Sequence, residues 1–108
     1  MSLDRPLAAL VVPCYNESAR LRPDEFLAFL GEDPRVHFLM VDDGSGDGTW
    51  TMLEEMRAGA PERITLLRLE RNQGKAEAVR QGMLASMEGR PFPGETFDFV
   101  YTMGTIEH

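Results

Sequence analysis

The sequence predicts an α/β fold, an open sheet of parallel strands with helices on both faces. Three observations carry that prediction. Four apolar runs alternate with three helical segments, in the order β-α-β-α-β-α-β. The first run is continuously apolar, as expected of a strand covered on both faces. Polar loops, two of them with glycine, follow the first three runs. Right-handed crossovers would bring those loops to one rim, at the carboxyl ends of the strands.

LAALVVP (Leu7–Pro13) is the first run, and CYNESARLR reads as a loop. Pro23 suits a first helical turn, and Phe26, Leu27, Phe29 and Leu30 lie on one side of the helix that follows. Gly31 and Pro34 mark its end. VHFLMV (Val36–Val41) is the second strand. Thr49–Ala58 reads as the second helix, with Trp50, Leu53 and Met56 along an i, i+3 stripe and Ala60-Pro61 as its break. ITLLRLE (Ile64–Glu70) is the third strand, RNQG a turn, and Lys75–Glu88 the third helix. Ala76, Val79, Met83 and Met87 are read as its apolar side. RPFPGE reads as a loop and Phe97–Met103 as a fourth, weakly patterned strand.

Composition narrows the function. Residues 1–108 read as one domain or a piece of one, with 104–108 resembling an added tail. Hydrophobic content of 43% and charged content of 27% fit a folded chain. The net charge of −7 argues against nucleic acid and against a polybasic membrane contact. The single cysteine, Cys14, has no internal partner, which fits a reducing, cytoplasmic setting. No apolar run is long enough to cross a membrane, so none is expected within this chain.

The chemistry concentrates in the three loops. In VDDGSGDGT, Asp42 and Asp43 end the second strand. A carboxylate there can accept hydrogen bonds from a ligand, or hold Mg²⁺ or Mn²⁺. Alternatively, Asp43 opens an Asx-type turn and Asp42 is a solvated strand end. Ligand contact is the favoured reading for Asp42. Asp47 or Thr49 is expected to cap the second helix. The glycines are wrongly spaced for a G-x-G-x-x-G turn, and Gly74-Lys75 lacks the rest of a Walker A loop. Lys75 at a helix start suits a phosphate, or is simply an exposed lysine. Tyr15 can stack on a base and Glu17 can accept ribose hydroxyls, or both serve the loop itself. Cys14, Met52, Met56, Met83 and Met87 read as packing residues, and His37 as packed or exposed but not catalytic.

Together, VVPCYNE, VDDGSGDGT and LERNQGKAEAVRQGM resemble the N-terminal half of a family 2 glycosyltransferase, nearest to the dolichyl- or polyprenyl-phosphate sugar transferases. The resemblance runs from Leu7 to Met83. It implies a Rossmann-like, GT-A-type fold that binds a nucleotide-diphosphate sugar, commonly of UDP or GDP. It also implies that Pro13, Tyr15 and Glu17 line a nucleoside pocket. Asp42 would contact the base and Lys75 the base or phosphates, with Asn16, Asp43 and Gly44 shaping the loops. The family places an Asp-x-Asp motif for Mg²⁺ or Mn²⁺ after the fourth strand. This chain reads FDFVYTMGTIEH there, so the metal ligands are not expected within it. The reading is therefore a donor-binding piece of a glycosyltransferase, inactive alone. A non-catalytic nucleotide-binding or assembly module is the alternative. A half-sheet would also leave an apolar edge, so self-association is expected.

Overall fold

The computed structural model describes residues 8–88 and 99–102, with side chains through residue 85. Leu7, Phe97, Met103 and the 104–108 tail lie outside the described residues, as does the RPFPGE segment. The elements are β1 (Ala8–Cys14), α1 (Pro23–Glu32), β2 (Val36–Asp42), α2 (Thr49–Gly59), β3 (Ile64–Arg68), α3 (Lys75–Glu88) and β4 (Phe99–Thr102). All strand pairings are parallel, and the sheet order is β3-β2-β1-β4.

That order has a physical reading. From β1 the chain steps outward to β2 and then β3, so α1 and α2 share one face of the sheet. It then reverses, and α3 crosses the other face, touching β2, β1 and β4. The reversal puts a switch point beside the tip of β1, where open parallel sheets place their ligands.

Strand alternation divides the core in two. Val12, Cys14, Phe38, Met40 and Ile64 meet Phe26, Leu30, Leu53 and Met56 on the α1/α2 face. The Phe26 and Phe38 rings meet edge to face, 5.1 Å apart. Val11, Leu39 and Val41 face the other way, toward Ala78 of α3.

The apolar side assigned to α3 from sequence needs correction. Ala76 is exposed, while Val79 and Met83 are only half-buried, and the Met87 side chain lies outside the described residues. The buried positions are Ala78 and Gly82. A Cβ on Gly82 would fall 2.6 Å from Val11 Cγ1 and 3.0 Å from Val41 Cγ2, so the helix seats its smallest residue directly on the sheet. A pattern of large apolar residues does not reveal a face built from small ones. Strand ends also shift slightly: β1 and β2 extend by one residue to Cys14 and Asp42, and β3 stops at Arg68.

Candidate functional site

The three loops that leave β1, β2 and β3 meet, and hydrogen bonds join them. In the β1–α1 loop, Asn16 adopts a left-handed backbone with φ 51°. Its N–H donates to Ser45 Oγ (2.9 Å), and its Oδ1 accepts from Gly46 N (2.8 Å). Glu17 N donates to Thr49 Oγ1 (2.8 Å). Ser18 donates to Asp47 Oδ2 from both its N–H and its hydroxyl. Asp47 Oδ1 in turn accepts from the N–H and hydroxyl of Thr49. Asp47 thus serves the first turn of α2 and the neighbouring loop together, while Gly48 occupies the cap position itself. Its slight desolvation raises its pKa, but the bonds from Thr49 and Ser18 outweigh this and hold it down at about 2.

The adjacent acids have different fates. Asp43 is buried, and its carboxylate accepts from Gln73 N (2.8 Å), Gly74 N (3.0 Å) and Asn72 Nδ2 (3.0 Å). It fastens the β3–α3 loop to the tip of β2. Gly44 makes this closeness feasible: its φ is +73°, and a Cβ there would sit 2.3 Å from the Arg71 carbonyl carbon. Asp42 is 0% exposed. Its Oδ1 accepts from Ser45 N (3.1 Å), whereas Oδ2 accepts no hydrogen bond. Arg68 Nε lies 3.9 Å from that oxygen, too far for one, with its guanidinium over the Trp50 ring at 4.9 Å.

Two of the alternatives left open by the sequence close here. Asp42 is a buried acceptor, not a solvated strand end. The acid pair does not fit a divalent cation either, because both Asp43 oxygens are taken by N–H donors. Among the described residues no group of three or more His, Cys, Asp or Glu side chains is placed to hold a metal ion.

A cleft of about 400 Å³ opens at this rim, lined by Pro13, Cys14, Tyr15, Glu17, Arg20, Asp43, Asn72 and Lys75. Five of the seven site residues expected from sequence therefore line it: Pro13, Tyr15, Glu17, Asp43 and Lys75. Asn16 and Asp42 do not; the first joins two loops and the second lies beneath one. Tyr15 is 45% exposed and available to stack. Lys75 is the exposed first residue of α3 and has no partner among the described residues. Glu17 is 5% exposed. Arg20 Nη2 stands 3.0 Å from Glu17 Oε1, near enough for an ion pair but not aligned as a hydrogen bond. Burial pushes the Cys14 thiol up to about 12, helped by the negative charges of Glu17 and Asp42, so it is no nucleophile.

Sequence reasoning missed Arg20 and Asn72. Nothing in the motif spacing marked Arg20, whose position shows only when the turn closes, with Arg20 N donating to Glu17 O (2.9 Å). Asn72 sat in the quoted RNQGK run but was given no role.

An open parallel sheet with a polar cleft at its switch point is the architecture in which α/β domains place their ligands. The sequence model of Glycosyl transferase family 2 matches residues 9–88, and the chain belongs to that family. It is 33% identical over 93 residues to a dolichyl-phosphate beta-glucosyltransferase of Dictyostelium discoideum, covering 78% of this chain and 28% of that protein. It is 33% identical over 73 residues to a polyprenol monophosphomannose synthase of Mycolicibacterium smegmatis, covering 68% of this chain and 27% of that one. The mannosyltransferase PcManGT from Pyrobaculum calidifontis, solved in complex with GDP-Man and Mn²⁺, superposes with a TM-score of 0.62 at 27% identity. That match covers 74% of this chain and 24% of that one. The chain thus spans little more than a quarter of the length of the curated relatives named here.

Proposed function

We propose that this chain is the donor-binding part of a glycosyltransferase that takes a nucleotide-diphosphate sugar and passes the sugar to a polyprenyl phosphate or glycan. One observation carries the reading. Two buried side-chain oxygens among the described residues, Glu17 Oε1 and Asp42 Oδ2, accept no hydrogen bond; Glu17 lines the cleft from the β1–α1 loop, and Asp42 ends β2, next to the cleft residue Asp43. Leaving a buried carboxylate oxygen without a donor is costly, and a ligand rich in N–H and O–H groups supplies what is missing. In this reading Asp42 accepts from the base, Glu17 from ribose hydroxyls, and Tyr15 stacks. Lys75, at the positive end of α3, meets phosphate or the base edge. The loops shaped by Asn16 and Asp43 keep these groups in register. The names of the relatives support the substrate classes, and GDP-Man on PcManGT supports a sugar nucleotide.

The Mg²⁺ or Mn²⁺ that neutralises a leaving diphosphate would be held by residues outside this sequence, which contains no Asp-x-Asp. The chain alone then binds the donor without turning it over. The edge strands β3 and β4 also support pairing with a second copy; a monomeric elution at tens of micromolar would count against that. Among the described residues no helix is long and apolar enough to cross a membrane, compatible with work at a cytoplasmic membrane face.

A thermal-shift panel of UDP, GDP, CDP and ADP, with and without Mn²⁺, tests the proposal. Ligand at a hundredfold over Kd adds about 2.7 kcal/mol, an easily read shift. A selective shift that needs no metal and disappears in Asp42→Ala is expected. A flat panel would remove the donor-site reading.

A further inference from the structure

We propose that Arg20 is a positioning residue for a ribose subsite, acting through Glu17; this rests on the donor-binding reading above. Glu17 is held at its backbone on both sides. Its N–H donates to Thr49 Oγ1 (2.8 Å), and its carbonyl accepts from Arg20 N (2.9 Å) and Leu21 N (2.7 Å). The main chain therefore fixes where the side chain starts, but it does not fix where the carboxylate points. Among the described residues neither carboxylate oxygen of Glu17 accepts a hydrogen bond. Among the described residues Arg20 makes the single ionic contact, at 3.0 Å, from a side chain that is itself 50% exposed.

A carboxylate at 5–6% exposure that accepts no hydrogen bond is otherwise unheld at its head group. The guanidinium, 3.0 Å from Oε1, ties that head group beside the cleft that both residues line. Because the contact is unaligned, it leaves the carboxylate's lone pairs to ligand hydroxyls. A vicinal diol presents two adjacent O–H donors, and a carboxylate presents two acceptors at matching spacing. Removing Arg20 is thus expected to affect recognition of the diol and little else. Arg20 and Glu17 lie three residues apart in one turn, so the pair forms locally and needs no other loop.

The test is a titration of the full chain with GDP and UDP and with their 2′,3′-dideoxy forms. Unaltered chain, Glu17→Gln, Arg20→Ala, Arg20→Lys and the Glu17→Gln/Arg20→Ala double variant are compared. The unaltered chain is expected to prefer the ribose form by about tenfold or more, the scale of a charge-assisted hydrogen bond. Arg20→Ala and Glu17→Gln should each erase most of that preference while leaving dideoxy affinity unchanged. The double variant should be no worse than either single one, and Arg20→Lys should restore part of the preference. Equal loss for ribose and dideoxy ligands in Arg20→Ala would overturn the positioning role and make Arg20 a general anion contact. Binding without ribose preference in the unaltered chain would also overturn it, with the donor-site reading left standing. No binding of any nucleotide would remove both.

Discussion

The two ends of the sheet treat polar groups differently. At the amino ends of β2 and β3, half-buried polar groups have partners from within the chain. Arg63 donates to the carbonyls of Val36 (3.0 Å) and Asp33 (2.6 Å), and His37 Nε2 lies 2.9 Å from Thr65 Oγ1. At the carboxyl ends, Glu17 and Asp42 each hold a buried oxygen that accepts nothing. The first pattern is what stability alone selects. The second leaves stabilising interactions unmade, and it is found where a ligand is expected to complete them.

Within the carboxyl end the contrast sharpens between residues that build the rim and residues that wait on it. The largest effect is expected at Gly44. Gly44→Ala meets both an unfavourable φ and a backbone 2.3 Å away, so it should cost at least about 3 kcal/mol, read by urea unfolding. Next is the pair of acids. Asp43→Ala strands two backbone N–H groups and an amide, and should cost about 3 kcal/mol. Asp42→Asn keeps the acceptor for Ser45 and removes a poorly compensated charge, so stability should stay within about 1 kcal/mol while nucleotide binding fails. Comparable destabilisation by both substitutions would dissolve the distinction.

The amino end gives a smaller, pH-dependent effect. Burial, and then the nearby Arg63 charge, lower the His37 pKa to about 4 from 6.5. The unfolded chain therefore binds the proton more readily. This contribution is whole above pH 6.5 and declines as pH falls from 6.5 toward 4. Partial exposure limits it to roughly 2 kcal/mol or less. Thermal melts across that range should flatten in His37→Gln relative to the unaltered chain. The smallest effect belongs to Asp47. Its bonds to Ser18 and Thr49 should persist above pH 3.8 and weaken as pH falls toward 2. The amide resonances of Ser18 and Thr49 should move together through that window; independent titration would argue against one shared carboxylate.

Much of this was legible in the chain. Continuous apolar runs placed the strands within a residue or two, because a strand buried on both faces needs such a run. The polar loops after β1, β2 and β3 pointed to a common rim because parallel crossovers allow little else. Three things were hidden. The reversal that sets β4 beside β1 is decided by packing of α3, not by any local signal. The seating of α3 on Ala78 and Gly82 escaped a search for large apolar residues. The division of labour between Asp42 and Asp43 could not be read because identical neighbours face different partners once the strand ends.

The fastening made by Asp43 carries a consequence for how such a domain diversifies. Two of its three donors are main-chain N–H groups, at Gln73 and Gly74. Those donors survive almost any exchange of the Gln73 side chain. The loop can therefore be rewritten at that position without surrendering its anchor. Innovation is permitted where the backbone holds the knot, and forbidden at Gly44, where a single methyl group would undo it.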